Sequence, residues 1–432
     1  CDTCEGTDAD GDGYGTLCDC DDTDISIYPG SVEIPDDGRD NDCDGAADAT
    51  RSDDDGIFVA GSCSVATMDD DNPGTMAEPV ATLAKAFELA EAQDKAVFAD
   101  NGVFFTSEQV VATTSFFGGY DCDAGWTASD ARTTLQYWPD SSEHALRFNV
   151  AGDKAMHRVF VAADAAPGVV VSLGPLTMVD SKVVTQDKGL FIGHSLTGEA
   201  GRMVISRSEL SRMGYRDPGY GAVWISSGEL LMGDTTVSSG AVLEMSDKSG
   251  AAVDVWNGAV ITLVGNTLHG GGSGVVVGKL ESAAPVTFSP GTATIRDNVI
   301  DTGSDWWGRS VGIDVSAGSV ATLSNNTISA SDDATDTSIG VSVSDSTLEM
   351  DGDTVDGGGG GEVSATGILL GDNAIAVLRN VAVSVATGDP DPGSSVGLWV
   401  SGDDAEATVV NTFIDPVDAQ STTTGVLVSH AS

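Results

Sequence analysis

The sequence predicts an all-β chain: a solenoid of short stacked strands behind a small loop module rich in acids and cysteines. Three observations predict it. Gly, Thr, Ser, Val and Asp are abundant, while helix-favouring Glu, Lys and Leu are thin. A short apolar run marked by Gly recurs through the later two thirds of the chain. All seven cysteines lie in the first third, five of them within residues 1–43.

The module comes first. Residues 1–55 hold nineteen acids against two bases, Arg39 and Arg51. Their few apolar residues, Leu17, Ile25, Ile27, Tyr28, Val32 and Ile34, cannot build a core of their own, so the module needs staples or metal. Asp8-Ala-Asp-Gly-Asp-Gly-Tyr-Gly-Thr-Leu-Cys-Asp19 is a twelve-residue loop. Asp8, Asp10 and Asp12 stand at positions 1, 3 and 5, Gly13 at 6, the Tyr14 carbonyl at 7 and Asp19 at 12. Alternating acids converge on one hard cation and Gly permits the sharp turn, so the spacing reads as calcium. No helix fits before Asp8, which excludes a true EF-hand. A second loop supplies Asp40, Asp42, Asp44 and Asp48 around Gly45. Its twelfth position is Arg51, so a ligand must come from elsewhere. Asp21, Asp22, Asp24 and Glu33 are the candidates.

The cysteines read as disulfides in an oxidising setting, because Cys1-x-x-Cys4 lacks a well-spaced zinc partner and the first histidine is His144. The expected pairs are Cys20 with Cys43, Cys63 with Cys122, and Cys18 with Cys1 or Cys4.

Residues 56–143 are mixed and read as an N-terminal cap with the first rungs. Ile57-Phe-Val-Ala60 reads as a strand. A helix is expected over 79–92, with Pro79 in its first turn and Leu83, Ala86, Phe87 and Ala90 on one apolar stripe.

From residue 144 to 432 the chain repeats. Gly312, Gly340, Gly367, Gly397 and Gly425 each open a run such as Gly-Val-Ser-Val, at spacings of 28, 27, 30 and 28. A second mark recurs at Asn266, Asn298, Asn326, Asp353, Asn380 and Asn411. A rung of short strands cannot bury its own inner face. Stacked at ~4.8 Å, rungs pair every backbone group and bury Val, Ile and Leu in one column. Asn at a turn tolerates left-handed backbone and can form a hydrogen-bonded ladder. About 335 residues at about 28 per rung give roughly twelve rungs.

Residues 8–48 resemble the MopE-type metal-binding repeat. The matching letters are Asp8-x-Asp-x-Asp-Gly-Tyr-Gly, Asp19-Cys-Asp-Asp, Ile27-Tyr-Pro-Gly, Glu33 and Gly38-Arg-Asp-Asn-Asp-Cys-Asp-Gly45. The resemblance implies a secreted or cell-surface protein. That family takes its name from a copper-binding protein, but residues 1–55 contain neither His nor Met, so calcium is the expected cofactor. The repeat resembles right-handed parallel β-helices of the pectate-lyase type over roughly residues 95–432, and the segment from Pro79 resembles their N-terminal capping helix.

Charge excludes two function classes. Lys+Arg number 19 against 67 acids, a net charge of −48, which leaves no basic footprint for nucleic acid or anionic membrane surfaces. Apolar stretches such as 274–278 are too short to span a bilayer. An enzyme must still be weighed, since the implied fold hosts lyases and hydrolases of polysaccharides. The best candidate cleft is the long interval with Lys279, Arg296, Arg309, Asp297, Asp301 and Asp305 beside Trp306 and Trp307, whose rings could stack a sugar. Asp332-Asp333 and Asp403-Asp404 read as turn residues, and the histidines are scattered singly. The expected function is therefore a non-catalytic, calcium-stabilised adhesin or filament subunit. Head-to-tail self-association is expected because Gly425–Ser432 begins a rung that nothing here covers. Polysaccharide turnover or glycan binding is the alternative.

Overall fold

The computed structural model describes residues 6–47, 51–138, 144–149, 152–163, 169–173, 175–185, 190–192, 202–213, 221–225, 227–240, 250–278, 289–304, 308–332, 334–359, 364–385, 395–416 and 423–429. They form a parallel β-solenoid with one described α-helix and two compact units. The first unit is Cys1–Leu210 with Gly228–Thr235, the second Ser211–Ser227 with Thr236–Ser432.

In the first unit, one sheet orders the strands Gly56–Val59, Ala96–Asp100, Phe116–Asp121, Lys154–His157, Leu176–Val179, Arg202–Ser206 and Glu229–Gly233. A second sheet begins with Val103–Thr106 and continues through Thr133–Tyr137, Val159–Ala163 and Lys182–Thr185. A third holds Val110–Ala112, Leu146–Asn149, Val169–Leu173 and Leu190–Ile192. Neighbours within each order are parallel, one rung apart.

The helix runs Leu83–Gln93, later than the 79–92 expected. Val80 is held extended against Phe58, its N–H donating to the Phe58 carbonyl at 3.0 Å, so Pro79 lies outside the helix. Thr82 then caps it, accepting from the Lys85 N–H at 3.2 Å. Leu83, Ala86, Phe87 and Ala90 are buried as one stripe, and Phe87 meets Phe116 edge-on at 5.5 Å.

In the second unit the three sheets repeat with alternating burial. Strands Val260–Val264, Thr292–Arg296, Val320–Ser324, Thr347–Asp351, Ile375–Arg379 and Glu406–Val410 form its first sheet in register. Ile261, Leu263, Ile295, Ile300, Ile313 and Leu323 point inward and are buried. The recurrent Gly has a steric cause. A Cβ on Gly340 would sit 2.3 Å from Val355 Cγ1 and 2.7 Å from the Gly367 carbonyl oxygen of the next rung. Within the strand Thr337–Val343, Gly340 lies so close to the next rung that it leaves no room for a side chain.

The second mark separates into two adjacent columns. Asn266, Asn298, Asn326 and Asp353 are buried. The Oδ1 atoms of Asn298, Asn326 and Asp353 accept the backbone N–H of Asn266, Asn298 and Asn326 at 2.8, 3.0 and 2.8 Å. Asn380 and Asn411 do not continue this ladder. The register puts Val381 and Thr412 at those positions, since Thr354 pairs with Ala382 and Ala382 with Phe413. Asn380 and Asn411 stand one residue earlier, with φ of 51° and 49°, on an exposed column where Asn411 Nδ2 donates to Asn380 Oδ1 at 2.6 Å. Asn suits both places, so sequence letters alone merge them. Ser181, Ser208 and Thr235 do the ladder's work in the first unit. Their hydroxyls accept the N–H of Val159, Ser181 and Ser208 at 3.2, 3.1 and 3.3 Å.

Candidate metal centre

The loop from Asp8 to Asp19 is built by short-range hydrogen bonds from backbone to carboxylate. Asp8 accepts the N–H of Gly11 at 2.6 Å and of Gly13 at 3.2 Å, with Gly13 at φ 98°, where a side chain would be strained. Asp10 Oδ1 accepts from Asp12 N at 3.2 Å, Asp12 Oδ1 from Tyr14 N at 2.7 Å, and Asp19 Oδ1 from Asp21 N at 2.9 Å. In Asp10, Asp12 and Asp19 the bond takes Oδ1 and leaves Oδ2 over, whereas Asp8 uses Oδ1 for Gly11 and Oδ2 for Gly13.

The carboxylates meet. Ligand atoms of Asp10, Asp12 and Asp19 lie within 4.8 Å of one another, and those of Asp8, Asp10 and Asp22 form an adjoining group. The Oδ2 atoms of Asp10, Asp12 and Asp19 are buried and accept no hydrogen bond. Burial, helped by the neighbouring carboxylates, pushes Asp10 up to about 7 and Asp12 up to about 8, against the backbone bonds that favour the ionised forms. Burial raises Asp19 too. Three buried acceptors with nothing to accept are costly unless a cation supplies the missing partner. The residues fit a hard cation: the donor set is all oxygen, preorganised and negative.

The second loop gathers less tightly. Glu33, Asp40 and Asp42 bring ligand atoms within 4.8 Å of one another. Glu33 Oε1 accepts from Asn41 N at 2.6 Å and Asp42 N at 3.0 Å, while its Oε2 is buried without a partner. Burial raises Glu33 above the usual carboxylate range. Asp44 is exposed and caps Ala46 N at 2.8 Å, outside that group, and Asp48 lies outside the described residues. Cys20 is bonded to Cys43 and ties the loops together, and Cys63 is bonded to Cys122. Cys18 is also disulfide-bonded, while Cys1 and Cys4 lie outside the described residues. These sulfurs, though close to Asp19 and Asp123, are not thiolates and offer no metal ligand.

The four extra acids proposed for the second loop take four different roles. Glu33 joins it. Asp22 joins the first loop, its Oδ1 accepting Ala9 N at 2.9 Å. Asp21 accepts its own Thr23 hydroxyl at 2.6 Å. Asp24 corrects the expectation of a ligand: its Oδ2 binds the guanidinium groups of Arg39 and Arg207, and its Oδ1 accepts the Ser26 and Ser206 hydroxyls at 2.7 and 2.9 Å. Burial alone would raise Asp24, but Arg207 and the serines hold it below the usual range. Arg51 likewise pairs with Asp36.

Asp24 thereby docks the module on the first unit's first sheet. Ile25 and Tyr28 pack with Val204 and Leu231, Arg202 lies 5.4 Å above the Tyr28 ring, and Tyr14 stacks on Tyr28 at 5.5 Å. Ile34 enters an aromatic cluster of Phe58, Phe98, Phe117, Tyr120 and Trp126. Acids that face the sheet are neutralised by arginine; those that face each other are left for a cation.

The model of the MopE-type metal-binding motif, whose label names copper, matches residues 19–49, which hold the second loop and the docking segment but not Asp8–Asp12. The right-handed β-helix region model matches residues 189–414, just over half the chain. The chain belongs to the right-handed β-helix family. Solved structures to which this β-helix chain is similar include a periplasmic alginate epimerase double mutant (11% identity, 76% of this chain and 78% of that one, TM-score 0.42). They also include the Dettilon tailspike protein (13%, 87% and 69%, TM-score 0.43). The catalytic unit of a GH87 α-1,3-glucanase from Streptomyces thermodiastaticus is another (13%, 90% and 70%, TM-score 0.42). No curated protein matches the chain.

Elsewhere in the β-helix, Lys279, Asp305, Trp306 and Trp307 lie outside the described residues. Asp297 occupies a left-handed turn at φ 57°, and Asp403 and Asp404 also lie in a turn. Sequence reading missed one pair. His269 Nδ1 bonds Asp301 Oδ1 on the exposed face of the second unit. Both residues stand three after a ladder asparagine, Asn266 or Asn298, and that common offset was the available signal. Among the described residues, no helix is long and apolar enough to cross a membrane.

Proposed function

We propose that this chain is a secreted, calcium-stabilised, non-catalytic β-helix that serves as a cell-surface adhesin or extracellular filament subunit and self-associates head to tail. The observation that carries the calcium is that Asp10, Asp12 and Asp19 bring ligand oxygens within 4.8 Å of one another while the Oδ2 of each is buried without a partner. Hard oxygen donors suit calcium. Copper prefers imidazole, thioether or thiolate; residues 1–55 hold no His or Met, and the described cysteines of the module are oxidised. Because those three acids are buried, an ion there has no face open to a substrate, and its binding free energy goes into folding. Disulfides favour an oxidising compartment.

The test is particle size and protease resistance of residues 1–55, with calcium and with chelator. Calcium-dependent resistance and calcium-dependent filaments support the reading. Monodisperse monomers and equal resistance in both conditions would overturn it.

One observation favours a second reading, turnover of an extracellular polysaccharide: the exposed His269–Asp301 pair could act as a general base. Product release from neutral or acidic glycans that is lost in His269→Ala and Arg309→Ala would establish it.

A further inference from the structure

The second sheet of the first unit begins with an exposed aromatic pair. On Val103–Thr106, burial alternates: Phe104 points inward and Phe105 outward. Phe105 pairs with Gln136 and Thr106 with Tyr137, and the Trp138 N–H donates to the Thr106 carbonyl at 3.1 Å. Tyr137 is buried, so Trp138 faces outward, two residues on from Gln136 and diagonal to Phe105. Phe105 is 76% exposed and Trp138 59% exposed. Two flat rings presented to water on neighbouring rungs are costly unless something covers them.

They border a concavity. Phe105, Thr106, Ser107 and Trp138 line a surface depression of about 370 Å³. The same Phe105–Ser107 segment opens into a cleft of about 510 Å³ that Thr82 at the helix start, Glu108 and Gln109 also line. The helix start is not an anion site, because Asp70 already accepts Ala81 N, Thr82 N and the Thr82 hydroxyl. The cleft therefore offers rings, hydroxyls, one amide and one carboxylate.

We infer that this cleft binds a neutral oligosaccharide, with a sugar ring stacked on the Phe105–Trp138 pair. The C–H face of a pyranose covers an aromatic ring while its edge hydroxyls need hydrogen-bond partners, and both kinds of group are present here. The volume suits one or two sugar rings within the range of small-ligand sites. Charge chooses among glycans. Among the described residues Glu108 is the titratable group lining the cleft and no Lys or Arg lines it, and the whole chain carries −48, so uronate or sulfated chains are repelled. This site needs neither calcium nor catalysis, so it goes beyond the function proposed above and stands without it.

The test is affinity electrophoresis and Trp fluorescence titration of the full chain. The probes are a β-1,3-glucan, a galactomannan and chitohexaose, with polygalacturonate as the acidic control, each with calcium and with chelator. At least one neutral probe is expected to retard the protein and polygalacturonate is not. Trp138→Ala and Phe105→Ala should each weaken binding tenfold or more, while Trp138→Phe keeps most of it, with unchanged circular dichroism in all three. Three results would overturn the inference: no retardation by any neutral probe, equal binding by the alanine variants, or a concentration-dependent dimer that Phe105→Ala disperses. Binding that survives chelator while filaments vanish would separate this site from the metal-dependent assembly.

Discussion

Asp24 Oδ2 receives Arg207 from the solenoid and Arg39 from its own module, so one carboxylate links the acidic loops to the first sheet. The carboxylate is buried, and its other oxygen is filled by Ser26 and Ser206. Removing it takes an anion from both guanidinium groups, although Arg207 keeps Asp180, whose Oδ1 lies 3.4 Å from its Nε. Asp24→Ala should cost about 3 kcal/mol or more, as for other broken buried pairs. Urea unfolding and the rate of protease cleavage within residues 6–47 check this. An unchanged midpoint with an intact module would show that Ile25, Tyr28 and Ile34 hold the module alone.

Calcium should raise the thermal midpoint and chelator lower it, because an ion that binds only the folded loop stabilises by about 2.7 kcal/mol at a hundredfold excess over Kd. Asp12→Asn should remove most of that increment, since Asp12 is one of the converging carboxylates. Asp44→Asn, at an exposed position outside the groups, should keep it. Calorimetry of the three proteins with and without calcium measures the difference.

Asp353 ends the second unit's asparagine ladder, and burial pushes it up to about 6. Its folded value lies above the ordinary 3.8, so the folded state binds the extra proton. Stability therefore falls as pH rises from about 4 to about 6 and stays lower above that, by about 3 kcal/mol. Asp353→Asn should be the more stable protein at pH 8 and gain nothing near pH 4. The amide can also donate to the Leu323 carbonyl, which occupies the register of the Ile295 carbonyl that Asn326 Nδ2 already uses at 2.8 Å. Urea titrations at the two pH values decide it.

Gly340→Ala should destabilise by more than about 2 kcal/mol, because the added carbon meets Val355 and the next rung's carbonyl. Gly371→Ala, whose added carbon comes no nearer than 3.4 Å to its neighbours, should be close to neutral. Equal losses in denaturant unfolding would mean that backbone entropy, not contact with the next rung, explains the repeated glycine.

The repeat was legible because it is local and periodic. Gly312, Gly340, Gly367 and Gly397 recur at rung length, and the close approach of the next rung's backbone forbids a side chain at each. The shape of the first acidic loop was legible for the same reason: Asp8, Asp10, Asp12 and Asp19 bond to backbone within a few residues of themselves, so spacing alone orients them. The start of the helix was misread, because Val80 is claimed by a distant strand before Thr82 can cap. The ladder at Asn380 and Asn411 was misread by one residue, because only the pairing of Thr354 with Ala382 fixes the register.

By itself, the sequence determined what repeats and what converges within a loop: stacked rungs, a capping stripe of Leu83, Ala86, Phe87 and Ala90, and alternating acids for a hard cation. Tertiary structure alone decided which acids remain for that cation. Asp24 and Asp22 look alike in the sequence, yet Asp24 meets an arginine 183 residues away and Asp22 turns back to Ala9. A carboxylate's role is set by the charge it faces, and that charge is placed by the winding of the chain rather than by its neighbours in sequence.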